Sequence, residues 1–423
     1  MRVLLTSFAH TTHFQPLVPL AWALRAAGHE VRVASQPALT DVITGSGLIA
    51  VAVGRDHEIA AVRERMAGEP RLNHPATVFP TSLTEPLTWE HALGIDTLAV
   101  PYYYALVNND SMIDDLVAFA RAWQPDLVLW EPTTYAGAIA ARVCGAAHAR
   151  LMWSPDVVGD ARVRFLDLLA RQPAEHREDP LAEWLTWTLR RFGSTFDEEV
   201  VTGQWTIDPT PPSLRPPTGL PTLGMRYVPY NGPSVVPPWL HEPPARPRIC
   251  LTLGISAREG LGPDRVSVPE LVEAIATLDV EVVATLDATQ RARLPAVPAN
   301  VRVEEFVPLQ VLLPSCAAVI HHNGAGTYAT AMSYGVPQII VPDIWDGVYK
   351  AKAIAELGAG VHVDSAELTV DVIRKACLRA LEPEMKEAAR RLREEMLREP
   401  SPAELVGELV RLADEHARTR TPG

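Results

Sequence analysis

The amino-terminal residues combine short apolar runs with apolar positions at helical spacing. Residues 3–6 form an apolar run typical of a buried strand, and apolar side chains then recur at helical spacing over 17–27. Gly28 is expected to end this helix, and residues 31–34 form the next strand. The pattern predicts a strand–helix–strand unit.

The same alternation continues farther along the chain. It predicts helices over 112–123 and 136–143 and strands over 126–130 and 149–153. Parallel strands joined by helical crossovers form a doubly wound sheet, which binds ligands beyond the carboxyl ends of its strands. Residues 156–205 differ, because their apolar positions follow an amphipathic helical pattern throughout.

Residues 209–247 contain so many prolines that neither a helix nor a central strand is expected to persist there. We therefore predict an interdomain linker, with an amino-terminal domain over 1–208 and a carboxy-terminal domain over 248–423. Beyond the linker a helix is predicted over 268–278, with strands over 249–253, 280–286, 301–306, 317–322, 338–341 and 361–363.

The predicted fold class is α/β, with two doubly wound Rossmann-like domains facing across a cleft. The tail, residues 383–417, has the pattern of a charged amphipathic helix and is assigned to the second domain. The sequence leaves open whether this tail packs back across the junction.

Composition excludes several classes of protein. The 423 residues exceed the usual size of one core, and 47% of them are apolar, which suffices for two. A net charge of −13 argues against a nucleic-acid surface. The four cysteines are too widely spaced for a disulfide framework or zinc cluster, and no apolar stretch reaches the ~20 residues of a membrane span. A soluble cytoplasmic protein is expected.

The most informative segment is 317–354. An apolar strand, 317–320, leads into His321 and His322, and the loop 323–326 allows the backbone to approach a ligand closely. Thr327 is expected to open a helix whose free N–H groups face the same point. This combination is suited to a bound diphosphate.

A second apolar strand, 338–341, ends near Asp343 and Asp346. These carboxylates are expected at the same sheet edge, so a diphosphate and a sugar fit side by side. The alternative is an ordinary strand, turn and helix with glycines for packing.

In the first domain, His13 follows the first strand and Glu131 follows the strand at 126–130. A histidine there can act as a general base, and a carboxylate can orient its imidazole. His10 competes for the role of base, and Glu131 equally well caps the following helix. The GxGxxG fingerprint is missing after the first strand, so a dinucleotide-binding dehydrogenase is disfavoured.

Other candidates lie at predicted strand ends. Ser256 is a candidate for donating a hydrogen bond to a phosphate, or else it is the N-cap of a helix. Phe306 and Val307 are candidates for covering a nucleobase, with core packing as the alternative. Four aromatic residues are candidates for lining an apolar acceptor site, and the alternative for each is again core packing: Trp89, Tyr102, Tyr103 and Trp153.

Several stretches resemble the inverting nucleotide-sugar glycosyltransferases of the GT-B fold. The resemblance is carried by HHNGAGTYATAMSYGVPQIIVPDIWD, SFAHTTHFQPLVPLAWALRAAGHEVRVASQPALTD, QPDLVLWEPTTYAG and FVPLQVLLPSCAAVIHH, and it covers nearly the whole chain. The chain is most similar to the bacterial amino-deoxysugar transferases of macrolide pathways.

The resemblance implies a role for each matching residue. His13 matches the general base and Glu131 its acidic partner, Phe306 and Val307 match the base-binding turn, and Asp346 matches the residue that reaches the sugar. The diphosphate loop is matched by His322, Gly324, Ala325, Gly326 and Thr327. Asn323 departs from the family's usual glycine, and Gly347 stands where sugar-metabolising relatives often have glutamine.

The function implied is transfer of a mycaminose- or desosamine-like deoxyaminosugar from a dTDP donor to a macrolide hydroxyl. Asp343 and Asp346 are expected to attract the cationic amine of such a sugar. No Asp-x-Asp pair occurs in the sequence, so no metal or other cofactor is expected. The resemblance also implies a cytochrome-P450-like helper protein; the oligomeric state, including a homo-oligomer, stays open.

Three rival functions remain at this stage. A nucleotide-sugar epimerase on the same fold needs no acceptor, and a non-catalytic accessory protein binds dTDP weakly or not at all. A plain dinucleotide-binding protein requires the missing glycine fingerprint.

Overall fold

The computed structural model describes residues 1–66, 87–253, 267–342 and 346–420, and the chain divides into two compact units. The first unit comprises Met1–Pro209, Arg215–Arg226 and Pro400–Gly423, and the second comprises Thr210–Leu214 and Tyr227–Glu399. Each unit is built on one parallel sheet.

The first unit contains a seven-stranded sheet in the order β3-β2-β1-β4-β5-β6-β7, with every neighbouring pair parallel. Its strands are β1 Arg2–Thr6, β2 Glu30–Ser35, β3 Ala50–Ala52, β4 Leu127–Trp130, β5 Ala147–Leu151, β6 Trp205–Asp208 and β7 Thr222–Gly224. The strand order reverses between β1 and β4, where Thr6 pairs with Trp130. In doubly wound sheets this switch point is the usual place for a ligand.

Helices connect these strands, and capping residues mark where the helices begin and end. Asn109 accepts a hydrogen bond from the Met112 amide at the start of Asp110–Trp123, and Gly145, at φ +84°, ends Tyr135–Cys144. The unit's helices are Thr11–Phe14, Val18–Ala26, Thr40–Gly45, Ile59–Met66, Trp89–Ala99, Ala105–Val107, Asp110–Trp123, Tyr135–Cys144, Val157–Ala170, Pro180–Arg190, Glu199–Thr202 and Pro402–Arg420, with a π-helical turn at Val100–Tyr104 and 3-10 turns at Gln15–Leu17, Pro37–Leu39 and Ala174–His176.

The second unit contains a six-stranded sheet in the order β10-β9-β8-β11-β12-β13, again with parallel pairs. The strands are β8 Arg248–Thr252, β9 Glu281–Thr285, β10 Val301–Glu304, β11 Ala318–His321, β12 Gln338–Ile340 and β13 Gly360–His362. The order reverses between β8 and β11, where Thr252 pairs with His321.

Apolar faces of the second unit's helices pack on this sheet around fully buried residues such as Leu251, Ile275 and Ile320. The helices are Val268–Ala276, Ala288–Ala292, Leu309–Leu312, Ala325–Tyr334, Asp346–Glu356, Val370–Ala380 and Pro383–Arg398, with 3-10 turns at Pro212–Leu214, Pro238–His241, Leu313–Ser315 and Ser365–Glu367. The expectation of two doubly wound sheets is confirmed.

The units differ from the predicted boundaries at both ends of the second domain. The tail forms two helices, and the last one, Pro402–Arg420, belongs to the first unit because it buries Leu405 and Leu409 and because His416 hydrogen-bonds Gln204 at 2.6 Å. The proline-rich stretch is likewise shared between the units. It contains β7, a strand of three residues at the edge of the sheet. Prolines in a sheet are confined to such edge positions, because they cannot donate a hydrogen bond to a neighbouring strand.

Among the described residues of both units, none of the helices is long and apolar enough to cross a membrane.

Candidate active site

The switch point of the first sheet brings together the two predicted catalytic residues. His13 lies in the short helix Thr11–Phe14 that follows β1, and Glu131 directly follows β4. Nδ1 of His13 is 3.0 Å from Oε2 of Glu131. The His13 side chain is 15% exposed, whereas that of Glu131 is fully buried, so the carboxylate supports an imidazole that a ligand can still reach.

Glu131 is held by several donors besides His13. Thr133 donates its backbone N–H and its hydroxyl, the Thr134 hydroxyl donates to Oε1, and Trp153 Nε1 donates to Oε2 at 3.2 Å. Burial alone would raise the pKa of Glu131, but the positive charge and hydrogen bond of His13, with the hydrogen bonds of Thr134 and Thr133, lower this pKa below its usual value. The carboxylate is therefore ionised at neutral pH.

An ionised carboxylate only accepts hydrogen bonds, so Nδ1 of His13 carries the proton in this pair. In the neutral form of the ring, the remaining nitrogen, Nε2, has the lone pair that a general base requires. His10 is differently placed, since its Nδ1 lies 2.9 Å from the Thr12 hydroxyl. The geometry favours His13 over His10 as the base, and it shows that Glu131 both holds the imidazole and accepts from the turn before the next helix.

Aromatic rings pack around the imidazole. The Trp153 ring lies 4.8 Å from the His13 ring, edge to face, and Phe8 lies 4.6 Å from it. Tyr103 is nearly buried and contacts Phe8 edge to face at 6.3 Å. Of the predicted acceptor-lining residues, the structure thus brings Trp153 and Tyr103 into the group around His13.

The other two predicted lining residues lie elsewhere in the same unit. Trp89 begins the helix Trp89–Ala99, and its ring packs 5.6 Å from that of Phe165. Tyr102 is 43% exposed on the π-helical turn.

In the second unit, the predicted diphosphate loop follows β11 at the switch point. The helix begins at Ala325 with Gly324 as its N-cap, two residues before the predicted start at Thr327. The amides of Ala325, Gly326 and Thr327 are therefore all in its first turn, where they lack intrahelical partners. No acidic residue lies in that turn, so its positive dipole end is not neutralised locally.

The glycines of this loop leave open space. Among the atoms of the described residues, a Cβ built on Gly324 would meet nothing closer than the Thr327 hydroxyl at 4.0 Å, and one on Gly326 would meet only Asn231 Oδ1 and the Tyr227 hydroxyl at 3.9 Å. Neither glycine has a positive φ. Internal packing and backbone conformation therefore do not require glycine here, and the space is available to a ligand.

The two histidines at the end of β11 have different environments. His321 is buried, its Nδ1 accepts from the Asn323 amide at 3.0 Å, and its Nε2 donates to Gln338 Oε1 at 2.8 Å. Burial lowers the pKa of His321 to about 3, so its ring is neutral and holds the loop in place. His322 is half-buried beside it, and its role at the diphosphate stays a prediction. The pattern did not predict the structural role of His321.

Asp346 begins the helix Asp346–Glu356, and its Oδ2 lies 2.7 Å from Nζ of the buried Lys350. Its negative charge is thus already balanced, and the expected attraction for a sugar amine is weaker than the sequence suggested.

Phe306 is 51% exposed beyond β10, whereas the Val307 side chain is in the core, so that only its backbone is left to contact a nucleobase. Ser256 and Asp343 lie outside the described residues.

Within the described ranges, no cluster of three or more His, Cys, Asp or Glu side chains is arranged to hold a metal ion. The expectation that no metal is needed stays a prediction.

The chain has two doubly wound parallel sheets, one with a histidine–carboxylate pair and the other with a glycine-rich helix start at its switch point. Solved glycosyltransferase structures superpose on 98% of the chain, and together with this architecture they place it in the GT-B class of glycosyltransferases. Residues 22–254 match the family model "Erythromycin biosynthesis protein CIII-like, N-terminal domain", and residues 269–412 match the model of the C-terminal domain. The chain belongs to the erythromycin biosynthesis protein CIII-like family.

Similar proteins agree with this assignment. The chain is 65% identical to the 10-deoxymethynolide desosaminyltransferase of Streptomyces venezuelae, over 99% of this chain and 98% of the relative. It is 53% identical to the tylactone mycaminosyltransferase of Streptomyces fradiae, over 100% of this chain and 94% of the relative. The crystal structure of glycosyltransferase VinC in complex with dTDP superposes with a TM-score of 0.87 at 44% identity, covering 98% of this chain and 100% of that one.

These matches confirm the predicted resemblance, the GT-B fold and the enzyme class. The chain is a hexosyltransferase-type enzyme related to the deoxyaminosugar transferases of macrolide antibiotic biosynthesis.

Proposed function

We propose that the chain transfers a desosamine- or mycaminose-like sugar from a dTDP donor to a hydroxyl of a macrolide lactone, inverting the configuration at the anomeric carbon. The observation that carries this proposal is the 3.0 Å pair between His13 and a fully buried, ionised Glu131. The relatives named as desosaminyl- and mycaminosyltransferases support the class of donor and acceptor.

In the proposed reaction, Nε2 of His13 removes the proton of the acceptor hydroxyl. A bond forms between that oxygen and the anomeric carbon while the bond from this carbon to the diphosphate oxygen breaks, and dTDP leaves. Glu131 stabilises the imidazolium that results. General base catalysis of this kind typically contributes 10²- to 10⁴-fold to a rate.

The leaving diphosphate gains negative charge, and the first-turn amides of the helix Ala325–Tyr334 are suited to stabilise it together with His322. One preorganised donor of this kind is worth ~3 kcal/mol in other enzymes. Phe306 supports the nucleobase, and Trp153 and Tyr103 line the acceptor side, together with the proposed lining residues Trp89 and Tyr102.

The test is mass spectrometry of reactions that pair dTDP-desosamine or dTDP-mycaminose with 10-deoxymethynolide or tylactone. Each reaction is run with and without a cytochrome-P450-like helper protein, and with and without EDTA. We expect a glycosylated lactone that requires both substrates and is unaffected by EDTA. His13→Ala is expected to abolish it while dTDP still binds.

A changed donor sugar in the absence of any lactone would instead support an epimerase. Absence of both turnover and dTDP binding, with the helper present, would support a non-catalytic accessory protein. Undiminished turnover by His13→Ala would remove the base from the mechanism.

A further inference from the structure

Lys350 is a buried lysine that the proposed mechanism does not use. It lies on the helix Asp346–Glu356 with 1% of its side chain exposed. Its Nζ is 2.7 Å from Asp346 Oδ2 and donates to the backbone carbonyl of Asn323 at 2.8 Å, and it lies 5.4 Å from the Tyr328 ring centre. Burying an ammonium group is unfavourable unless it is paired, and here the Asp346 carboxylate and the Asn323 carbonyl supply the partners.

Asn323 is the residue through which Lys350 reaches the diphosphate loop. Its φ of +73° lies in the left-handed region, which is strained for a non-glycine residue and persists only where the surroundings enforce it. Three contacts do so: its amide donates to His321 Nδ1, its side-chain Nδ2 donates to the Gly347 carbonyl, and its own carbonyl accepts from Lys350. The next residue, Gly324, is the N-cap of the helix that faces the ligand.

One ammonium group therefore contacts the start of the diphosphate loop and also the carboxylate expected to reach the sugar. Asp346 and Lys350 are one helical turn apart, whereas Asn323 is 27 residues away in sequence. Removing the ammonium would release the Asn323 carbonyl and leave Asp346 without its cation. Both changes are expected to weaken binding of the sugar donor.

We propose that Lys350 is a positioning residue of the donor site, which fixes the diphosphate loop through Asn323 and the sugar-contacting carboxylate through Asp346. The inference rests on the proposed function, because it assigns this loop to the diphosphate and Asp346 to the sugar. It makes two separable claims, since dTDP depends on the loop alone, whereas a dTDP-sugar depends on the loop and on Asp346.

The experiment measures calorimetric dissociation constants of the full chain for dTDP and for dTDP-glucose, with thermal unfolding as a check on folding. Lys350→Met is expected to weaken dTDP binding at least tenfold and dTDP-glucose at least as much. Asp346→Asn is expected to leave dTDP within threefold of wild type and to weaken dTDP-glucose at least fivefold. Lys350→Arg, which keeps a cation, is expected to restore dTDP binding to within threefold.

Lys352→Met is the matched control, because Lys352 lies on the same helix and is only half-buried; both dissociation constants should stay within twofold. If Lys350→Met does not fold, Lys350→Gln takes its place with the same expected losses. A folded Lys350 variant that binds dTDP within threefold of wild type would overturn the proposal, as would equal losses of dTDP and dTDP-glucose in Asp346→Asn.

These measurements need no acceptor and no turnover. If the wild type binds dTDP and the variants behave as stated but no sugar is transferred, the proposed function fails alone. If transfer occurs while Lys350→Met binds dTDP normally, only the positioning role fails.

Discussion

The side-chain amide of Asn323 donates a hydrogen bond to the backbone carbonyl of Gly347. The sequence resemblance marks both residues as departures from the usual family pattern, and the structure places them in contact. A Cβ on Gly347 would lie 3.2 Å from Pro342 Cβ and 3.6 Å from Asn323 Nδ2. The asparagine side chain thus occupies space that a larger residue at position 347 would need.

Coupling between these two positions is testable with a double-mutant cycle. Gly347→Gln is expected to destabilise the protein by about 1–2 kcal/mol, because the new side chain is crowded by Asn323 and Pro342. In combination with Asn323→Gly, part of that cost should disappear, giving a coupling energy of about 1 kcal/mol. Urea unfolding of the wild type, both single variants and the double variant provides the measurement, and strictly additive effects would contradict the coupling.

Glu131→Gln tests the role of the buried carboxylate. Glutamine keeps the shape but removes the charge that stabilises the imidazolium, and its amide nitrogen can face Nδ1 of His13, which favours the wrong tautomer. We expect kcat to fall 10²- to 10⁴-fold while the dissociation constant for dTDP, whose proposed site lies in the other unit, stays within threefold. A variant with kcat within tenfold of wild type would show that Glu131 serves only the turn formed by Thr133 and Thr134.

Gly326→Val tests whether the open space in the loop belongs to the ligand. A Cβ at this position meets no described atom closer than 3.9 Å, and valine has a higher helix propensity than glycine, so the fold should tolerate the change. Binding of dTDP should nevertheless weaken at least tenfold, as read by calorimetry.

Gly407→Val is the matched control for Gly326→Val. Gly407 also lies in a helix, Pro402–Arg420, and a Cβ added there would meet no described atom within 4 Å. Its dTDP affinity should equal that of the wild type. Equal effects of the two substitutions on dTDP binding would mean that Gly326 is not part of the diphosphate site.

Much of the fold could be predicted because buried parallel strands leave continuous apolar runs, as at β4 and β11. The short strands β3, β6 and β7 escaped prediction. Ala50–Ala52 is only partly buried, Trp205–Asp208 follows a helical stretch, and Thr222–Gly224 lies among prolines. The place of the last helix depends on which unit covers Leu405 and Leu409, and an amphipathic pattern does not specify its partner.

The pairing of His13 with Glu131 was predictable, since both residues follow strands that meet at the switch point. The role of Lys350 was not. Asp346 and Lys350 are four residues apart, the spacing of an ordinary exposed ion pair on a helix. Only the structure shows that Lys350 is buried, next to Tyr328 and the Asn323 carbonyl. Likewise, the helix start at Ala325 depends on Gly324 acting as N-cap, which glycine-rich sequence alone did not locate.

His321 predicts a specific dependence of stability on pH. Its pKa is lowered to about 3 in the folded protein by burial, whereas an unfolded histidine has a pKa near 6.5. The unfolded chain therefore binds more protons between these values, so this contribution to stability is present above pH 6.5 and is lost as pH falls toward 3. Between pH 7 and pH 5 the loss should be about 2 kcal/mol for this residue.

His321→Gln is therefore expected to lower stability at pH 7 but to reduce the further loss between pH 7 and pH 5 by about 2 kcal/mol. Urea unfolding at the two pH values measures this difference, with exposed His176→Gln as the control whose pH dependence should match the wild type. Burial also lowers the pKa of His148 to about 3, so His148 should keep contributing to the pH dependence of stability in both variants. An unchanged difference between pH 7 and pH 5 in His321→Gln would mean that His321 is not held neutral in the folded loop.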